Sequence, residues 1–180
     1  MDRVGKLSLV TQYINKTFDE KDSIRYRFCG FMENKNTIEI NNHKIRINPE
    51  CNFGERFRVI PDHSFRRAKG VIIVFDKSNR KSFECIEEFY NYCKDRSYSY
   101  TLFLLVGNKS DLENVVSDEE AHEKAKEWGT EYISASAKYY DSVKFVFETF
   151  ARKIYEAKMN PRSNRSFKLQ LHPKRRKKCC

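Results

Sequence analysis

Three short predicted strands, the first two largely apolar, are separated by segments of helical periodicity and restrict the fold of this chain more than any other feature. They cover residues 71–75 (Val-Ile-Ile-Val-Phe), 101–106 (Thr-Leu-Phe-Leu-Leu-Val) and 131–135 (Glu-Tyr-Ile-Ser-Ala). Apolar runs of this length are typical of strands buried on both faces, which is the condition of strands in a parallel sheet. We therefore predict an α/β fold in which helices cover both faces of the sheet.

Helical segments lie between and after these strands. Apolar residues at helical spacing predict a helix over 80–94 and a last helix that runs from Ser142. Ser117-Asp-Glu-Glu120 has the form of a capping box, so another helix is expected to begin there and to end near Trp128-Gly129. A further helix is predicted near the start of the chain, through residues 9–14.

The segment before residue 60 has a different pattern. Thr37-Ile-Glu-Ile40 and Lys44-Ile-Arg-Ile47 alternate in polarity on either side of Asn41-Asn42. Two short alternating runs that flank a two-residue turn predict an antiparallel hairpin. The complete sheet is then expected to be mixed, with mostly parallel strands.

Composition narrows the class of protein. The chain has 180 residues, 39% of them hydrophobic, so one domain with a substantial core is expected. Its apolar runs are too short to span a bilayer, and its first residues lack the pattern of a signal peptide, which predicts a cytosolic protein. The six cysteines show no metal-ligand spacing, so reduced thiols are expected.

Polar residues follow the second and third predicted strands, at the edge of the sheet where open α/β folds bind their ligands. Gly107-Asn-Lys-Ser-Asp111 and Ser136-Ala-Lys138 can each be plain polar turns, but their joint position favours a site. The Asp111 carboxylate can accept hydrogen bonds from the ring N–H and the amino group of guanine. The Lys109 stem can lie along the purine, and the Ala137 N–H can donate to the base carbonyl.

Gly5-Lys6, ahead of a predicted helix, has the form of the end of a phosphate-binding loop. Such a loop follows a buried strand and closes with Ser or Thr. Here Leu7 occupies the hydroxyl position, and Ser8 follows one residue later.

Together these segments resemble Rab-type small GTPases of the Ras superfamily over nearly the whole chain. The matching segments are Val4-Gly-Lys6, Thr17-Phe-Asp-Glu20, residues 37–47, Gly54-Glu-Arg-Phe57, residues 70–76 with Ser82-Phe83, Asn108-Lys-Ser-Asp111, Ser136-Ala-Lys138 and Cys179-Cys180. The resemblance implies a Ras-like P-loop fold with GTP or GDP between the loops. It assigns nucleotide contacts to Gly5, Lys6, Asn108, Lys109, Asp111, Ser136, Ala137 and Lys138.

The chain departs from the family pattern at the positions that serve magnesium and hydrolysis. Leu7 and Phe28 replace the two hydroxyl residues that serve magnesium in the family. The second switch corresponds to Glu50-Cys-Asn-Phe-Gly-Glu-Arg-Phe57. This segment lacks the water-positioning Gln and does not match the family's Asp. Phosphoryl transfer depends on positioned charges and on the metal. We assign no catalytic residue and no Mg²⁺ ligand, and expect hydrolysis of GTP to be very slow or absent.

The family's first strand has no counterpart in the residues before Lys6. The expected sheet therefore lacks its central first strand, and the strands on either side must pair with each other or be covered. Two explanations are open at this point: the protein begins upstream of Met1, or its core is weakened.

Residues 160–180 form a basic tail that follows a Rab-like domain over residues 1–159. The tail carries a charge of +8 out of a net +10 and has no helical or strand periodicity, which predicts disorder. The run Lys174–Lys178 precedes Cys179 and Cys180, and the resemblance implies that both cysteines are prenylated. Lipid chains and basic residues together predict anchoring at the cytosolic face of an endomembrane.

Three functions fit these features to different degrees. The first is a Rab-like GTP/GDP switch of vesicle trafficking with impaired hydrolysis, which meets prenylation and Rab-recycling proteins and binds effectors at residues 54–67. The second is a membrane-tethered pseudo-GTPase that no longer binds nucleotide productively. The third, a nucleic-acid binder, rests on the basic tail alone, because the rest of the chain carries a charge of about +2.

Overall fold

The computed structural model describes residues 3–19, 36–51 and 62–160, with the backbone alone at residues 62 and 63. Phe28, residues 52–57 and both terminal cysteines therefore lie outside the described residues. The elements are α1 (Lys6–Asn15), β1 (Thr37–Ile40), β2 (His43–Arg46), α2 (Asp62–Arg67), β3 (Gly70–Asp76), α3 (Arg80–Glu84), α4 (Ile86–Arg96), β4 (Leu102–Asn108), α5 (Asp118–Glu127), β5 (Glu131–Ser134) and α6 (Tyr140–Met159).

The strands form two sheets. Strands β3, β4 and β5 are parallel and lie in that order, with Gly70 opposite Leu102 and Asp76 opposite Asn108. Strands β1 and β2 form a separate antiparallel pair. Among the described residues no strand pairs with the second edge of β3, so the predicted mixed sheet is divided between a hairpin and a parallel sheet.

Helices cover both faces of the parallel sheet, as predicted. The alternation of β3 explains this, because Val74 points to one face while Ile73 and Phe75 point to the other. On the first face, Val74 lies in a cluster with apolar residues of α1 and α6. On the second face, the neighbours come from α3, α4 and α5. Burial of each large apolar side chain contributes about 1.5–3 kcal/mol, so both layers support the sheet.

Helix α1 is held against α6 by its apolar side. Tyr13 stacks on Phe147 with 4.5 Å between the ring centroids, and Leu9 is buried in the same cluster. Burial raises the pKa of Tyr13 to about 12 because the charged form loses its hydration. The predicted helix after Gly5-Lys6 is therefore confirmed, and its position is fixed by packing.

The predicted hairpin is also confirmed. Asn41 and Asn42 both have positive φ, 49° and 62°, which is the requirement of the tight turn that joins two right-twisted strands. The hairpin contacts the end of α6, where His43 Nδ1 lies 2.9 Å from the Tyr155 hydroxyl.

Two helices differ from their predicted bounds. The helix predicted over 80–94 consists of α3 and α4, which meet at Cys85; the Phe89 N–H reaches the Cys85 carbonyl at 3.5 Å, so the hydrogen-bond ladder is weak at this point. Helix α6 begins at Tyr140, two residues before the predicted Ser142. The capping box is confirmed, since Ser117 Oγ accepts the Glu120 N–H at 3.2 Å. In the part of the chain that the structure describes, no helix is long and apolar enough to cross a membrane.

Candidate functional site

The candidate site lies where the three parallel strands end. Strand β3 ends at Asp76, β4 ends at Asn108, and Ser136 follows β5 by two residues. The N-terminus of α1 faces the same edge, because the Val4 carbonyl is hydrogen-bonded to Asn108. The structure thus brings the two predicted loops and Gly5-Lys6 to one edge of the sheet.

Asn108 joins these segments through its side-chain amide. The side chain is almost fully buried, at 1% exposure; its Nδ2 donates to the Val4 carbonyl at 2.9 Å and its Oδ1 accepts the Ala137 N–H at 3.0 Å. Both groups of the amide are therefore used inside the protein. Asn108 joins the segment before α1 to the loop after β5, and its amide keeps a second N–H and a second lone pair for the nucleotide contact predicted from the sequence.

Gly5 places the start of α1 against this amide. It has φ of 85°, and a Cβ at this position would clash with Nδ2 of Asn108. Only glycine satisfies both the left-handed backbone and the close approach. Lys6 is the first helical residue, and within the described residues no side-chain hydrogen bond caps the N-terminus of α1. The first N–H groups and the positive end of the helix dipole therefore point to where a phosphate can bind.

Ser136 orients the carboxylate of Asp111. The buried Ser136 hydroxyl donates to Asp111 Oδ1 at 2.5 Å and accepts the Lys138 N–H at 3.1 Å. The Ser136 N–H in turn donates to Ser142 Oγ at 3.1 Å. Asp111 itself is exposed. This arrangement presents a solvent-accessible carboxylate in a fixed direction, as the recognition of two adjacent N–H donors requires.

The Ala137 N–H has a hydrogen-bond partner within the protein. This N–H, expected to donate to a base carbonyl, donates to Asn108 Oδ1. A base carbonyl can use this N–H only as a second acceptor or by displacing the Asn108 oxygen. This hydrogen bond supplies the buried Asn108 amide oxygen with a donor within the fold.

Lys109 is held by a residue that sequence reasoning missed. Its Nζ lies 2.5 Å from Asp76 Oδ2, and its backbone is left-handed, with φ of 63°. Asp76 is buried, and its Oδ1 accepts both the N–H and the hydroxyl of Ser78, at 2.9 and 2.6 Å. The sequence contained a usable signal, because Asp76 directly follows the apolar run 71–75. In the structure Asp76 lies opposite Asn108, the residue before Lys109.

Gln12 is a second residue that sequence reasoning missed. It is buried in α1, and its Nε2 donates to the Lys138 carbonyl at 3.2 Å. Lys138 is otherwise exposed. The available signal was that Gln12 is a polar residue on the apolar side of α1. Its hydrogen bond connects the Ser136–Lys138 loop to the helix that begins at Lys6.

A family model for the Ras family matches residues 1–156. The chain belongs to the Ras family. It is 32% identical over 155 residues to Ras-related protein SEC4 of Saccharomyces cerevisiae, which covers 85% of this chain and 71% of that protein. It is 30% identical over 168 residues to Ras-related protein Rab-13 of Canis lupus familiaris, and this alignment covers 92% of this chain and 81% of that protein. It is 32% identical over 151 residues to GTP-binding protein ypt2 of Schizosaccharomyces pombe, and this alignment covers 80% of this chain and 76% of that protein. These relatives make it a divergent Rab-type small GTPase with the Ras-like fold.

The Ras family generally binds GTP or GDP together with Mg²⁺, and part of its metal-binding pattern falls in the described residues. Leu7, in the first turn of α1, has no oxygen in its side chain, and no group of three or more His, Cys, Asp or Glu residues in the described ranges can hold a metal ion. Of the remaining positions, Glu50 and Cys51, which stand where the Asp of the second switch is expected, are described, whereas Phe28 and residues 52–57 lie outside those ranges.

Lys77 fixes the segment that carries Lys109 and Asp111 in this Rab-type domain. It is only 2% exposed; its N–H donates to the Asn108 carbonyl at 3.0 Å, and its carbonyl accepts the N–H groups of Val115 and Val116. Its Nζ lies 2.7 Å from Asp118 Oδ1 at the start of α5. Partial burial raises the pKa of Asp118, but hydrogen bonds from Lys77 and Tyr132 lower it by more and hold it below its usual range.

Proposed function

We propose that this Rab-type member of the Ras family binds a guanine nucleotide at the carboxyl ends of β3, β4 and β5 and hydrolyses GTP very slowly or not at all. The observation that carries the proposal is the buried Asn108 amide. It connects the segment before α1, where phosphates are expected, to the loop after β5, where the base is expected. One folded site therefore contains both halves of a nucleotide-binding arrangement.

The base half supports guanine rather than adenine. Asp111 is exposed, oriented by Ser136 and able to accept the ring N–H and the amino group of guanine. Each hydrogen bond to a charged acceptor contributes about 1.5–3 kcal/mol, and adenine lacks this pair of donors. The Lys109 stem, held at its end by Asp76, is in place to lie along the purine.

The phosphate half supports binding more than catalysis. Lys6 and the uncapped N-terminus of α1 supply positive charge and N–H donors. Leu7 supplies no metal ligand, and the sequence lacks the water-positioning Gln. Because phosphoryl transfer needs charge neutralisation and an oriented water, binding with little turnover is the expected outcome.

The same proposal includes a place at the cytosolic face of an endomembrane, in vesicle trafficking. Rab-type relatives generally act there, and the basic residues 174–178 followed by Cys179 and Cys180 suit prenylation. We propose residues 54–67 as the effector-binding segment, and prenylation and Rab-recycling proteins as further partners. The domain then covers residues 1–159, and the tail residues 160–180.

Nucleotide titration of the purified 180-residue chain tests the base-binding half. We expect GDP and GTP to bind at least tenfold more tightly than ADP and ATP, and the Asp111→Asn variant to lose this preference. Asp141→Asn, at an exposed residue of α6, is the matched control and keeps it. Equal affinity for guanine and adenine nucleotides would contradict the assignment.

Magnesium dependence and turnover test the other half. With Leu7 in place, chelation of Mg²⁺ is expected to change the GDP affinity by less than twofold, and phosphate release from GTP to stay at the uncatalysed rate. In the Leu7→Ser variant, which restores a hydroxyl in the first turn, Mg²⁺ is expected to tighten binding. Strong Mg²⁺ dependence with measurable turnover in the unaltered chain would contradict the proposal of impaired hydrolysis.

The pseudo-GTPase alternative is favoured by Leu7, Phe28 and the missing Gln, the positions at which the chain departs from the family pattern. The Ala137 N–H, which would donate to the base carbonyl, also donates to Asn108 Oδ1. On this alternative the chain acts as a membrane-tethered interaction module without nucleotide. The absence of detectable guanine nucleotide binding by the folded chain would select it over the first proposal.

A further inference from the structure

We propose that Asp76 is a positioning residue for guanine nucleotides, acting through Lys109. This inference rests on the proposed binding of a guanine nucleotide. Asp76 is the last residue of β3, it is buried, and its carboxylate pairs with the ammonium group of Lys109 at 2.5 Å. No nucleotide contact is needed from Asp76 itself.

The geometry of Asp76 makes it a fixed anchor. The carboxylate receives the N–H and the hydroxyl of Ser78 on Oδ1 and the Lys109 ammonium group on Oδ2, so both oxygens are engaged on opposite sides. The backbone of Asp76 is fixed as well, since it exchanges hydrogen bonds with the Ser82 hydroxyl at 2.9 and 3.1 Å. The end of β3, the turn at Ser78 and helix α3 at Ser82 together fix the direction in which Asp76 Oδ2 faces Lys109.

Lys109 needs such an anchor. Its side chain has four rotatable bonds and is about one-third exposed, so without a partner it would sample many rotamers. Pairing at its far end confines the methylene stem to the space between Asp76 and the Asp111 loop. Because the stem is confined before the ligand arrives, a purine that packs on it does not have to order it.

A purely structural role for the pair is the competing explanation. Because the Asp76 carboxylate is buried, loss of the ion pair is expected to affect the fold as well as the ligand, so stability alone does not separate the two explanations. The two roles differ in base selectivity. Loss of packing on the Lys109 stem weakens GDP and inosine diphosphate equally, whereas disorder of the whole loop would also displace Asp111 and reduce the preference for the guanine amino group.

The test is a double-mutant cycle on the 180-residue chain. Dissociation constants for GDP and inosine diphosphate are measured for the unaltered chain, Asp76→Asn, Lys109→Met and the double variant. Each single change is expected to weaken GDP about tenfold, the double variant is expected to be no weaker than either single, and the ratio of the two nucleotides is expected to stay constant. Asp111→Asn serves as the contrast that changes this ratio.

Controls separate the possible failures. Asp95→Asn, at an exposed residue of α4, is expected to leave affinity unchanged, and Lys109→Arg to retain most of it because the ion pair survives. An Asp76→Asn affinity within twofold of the unaltered chain, independent losses in the double variant, or a changed nucleotide ratio would overturn the inference. If Asp76→Asn does not fold, Lys109→Met decides, and unweakened binding overturns it. An unaltered chain that binds no GDP removes the proposed function itself.

Discussion

The side-chain amide of Asn108 lies between the carbonyl of Val4 and the N–H of Ala137, residues that are far apart in the chain. Its two hydrogen bonds satisfy one buried acceptor and one buried donor. Since buried polar groups without partners are costly, this single side chain supports both the fold and the site.

Replacement of Asn108 by Ala is expected to lower the free energy of unfolding by about 3 kcal/mol, because two buried backbone groups lose their partners. Urea denaturation followed by circular dichroism measures this change. Asn91→Ala, which removes an exposed amide from α4, is the control and is expected to cost less than 1 kcal/mol. Equal effects of the two substitutions would show that the Asn108 contacts carry no special weight.

Replacement of Gly5 by Ala is expected to destabilise the protein by about 2 kcal/mol, since a side chain meets both a positive φ and the Asn108 amide. Gly129→Ala at the end of α5 shares the positive φ, 68°, and is expected to cost about 1 kcal/mol. Thermal or urea unfolding compares the two. The prediction fails if Gly5→Ala is the milder change.

Stability is expected to fall at acid pH in part through Asp118. The pKa of this carboxyl is lower in the folded protein than in the unfolded chain, where it has its ordinary value near 3.8. Its contribution is therefore complete above the unfolded pKa and is lost as the pH falls through the folded pKa. Measured between pH 6 and 2.5, the unfolding free energy of Asp118→Asn should have a shallower slope than that of the unaltered chain.

Glu123→Gln, on the exposed side of α5, is the control for the acid series. It removes one carboxylate from the same helix without touching Lys77 or Tyr132, so its slope should match that of the unaltered chain. A matching slope for Asp118→Asn as well would rule out the Lys77 pair as a source of acid sensitivity.

Cys93 and Cys85 are expected to differ strongly in thiol reactivity. Cys93 is buried in α4, and this burial raises its pKa to about 11, whereas Cys85 is exposed between α3 and α4. The thiolate is the reactive form, so at pH 8 alkylation should modify Cys85 well before Cys93. Peptide mapping after timed exposure to iodoacetamide measures both rates. In urea, where Cys93 is no longer buried, the two cysteines should be alkylated at similar rates. Similar rates in the folded protein as well would contradict the burial of Cys93.

Much of the fold was predictable because local patterns and tertiary packing agree. The apolar run 71–75, the capping box at Ser117 and the Asn41-Asn42 turn each predicted an element that the structure contains. Helix α2 escaped prediction, since six residues have too few turns to show periodicity. The interruption at Cys85 left no clear trace in the spacing of apolar residues.

The sequence by itself determined the alternation of strands and helices, the loops at which a guanine nucleotide is proposed to bind, and the loss of a hydroxyl at Leu7. These depend on residue type and spacing along the chain. Only the tertiary structure decided that Asn108 bridges Val4 and Ala137, that Asp76 holds Lys109, and that Lys77 is buried against Asp118. Such contacts join residues 29–104 positions apart, and the parallel register of β3 and β4 that brings most of them together is set by the packing of both sheet faces.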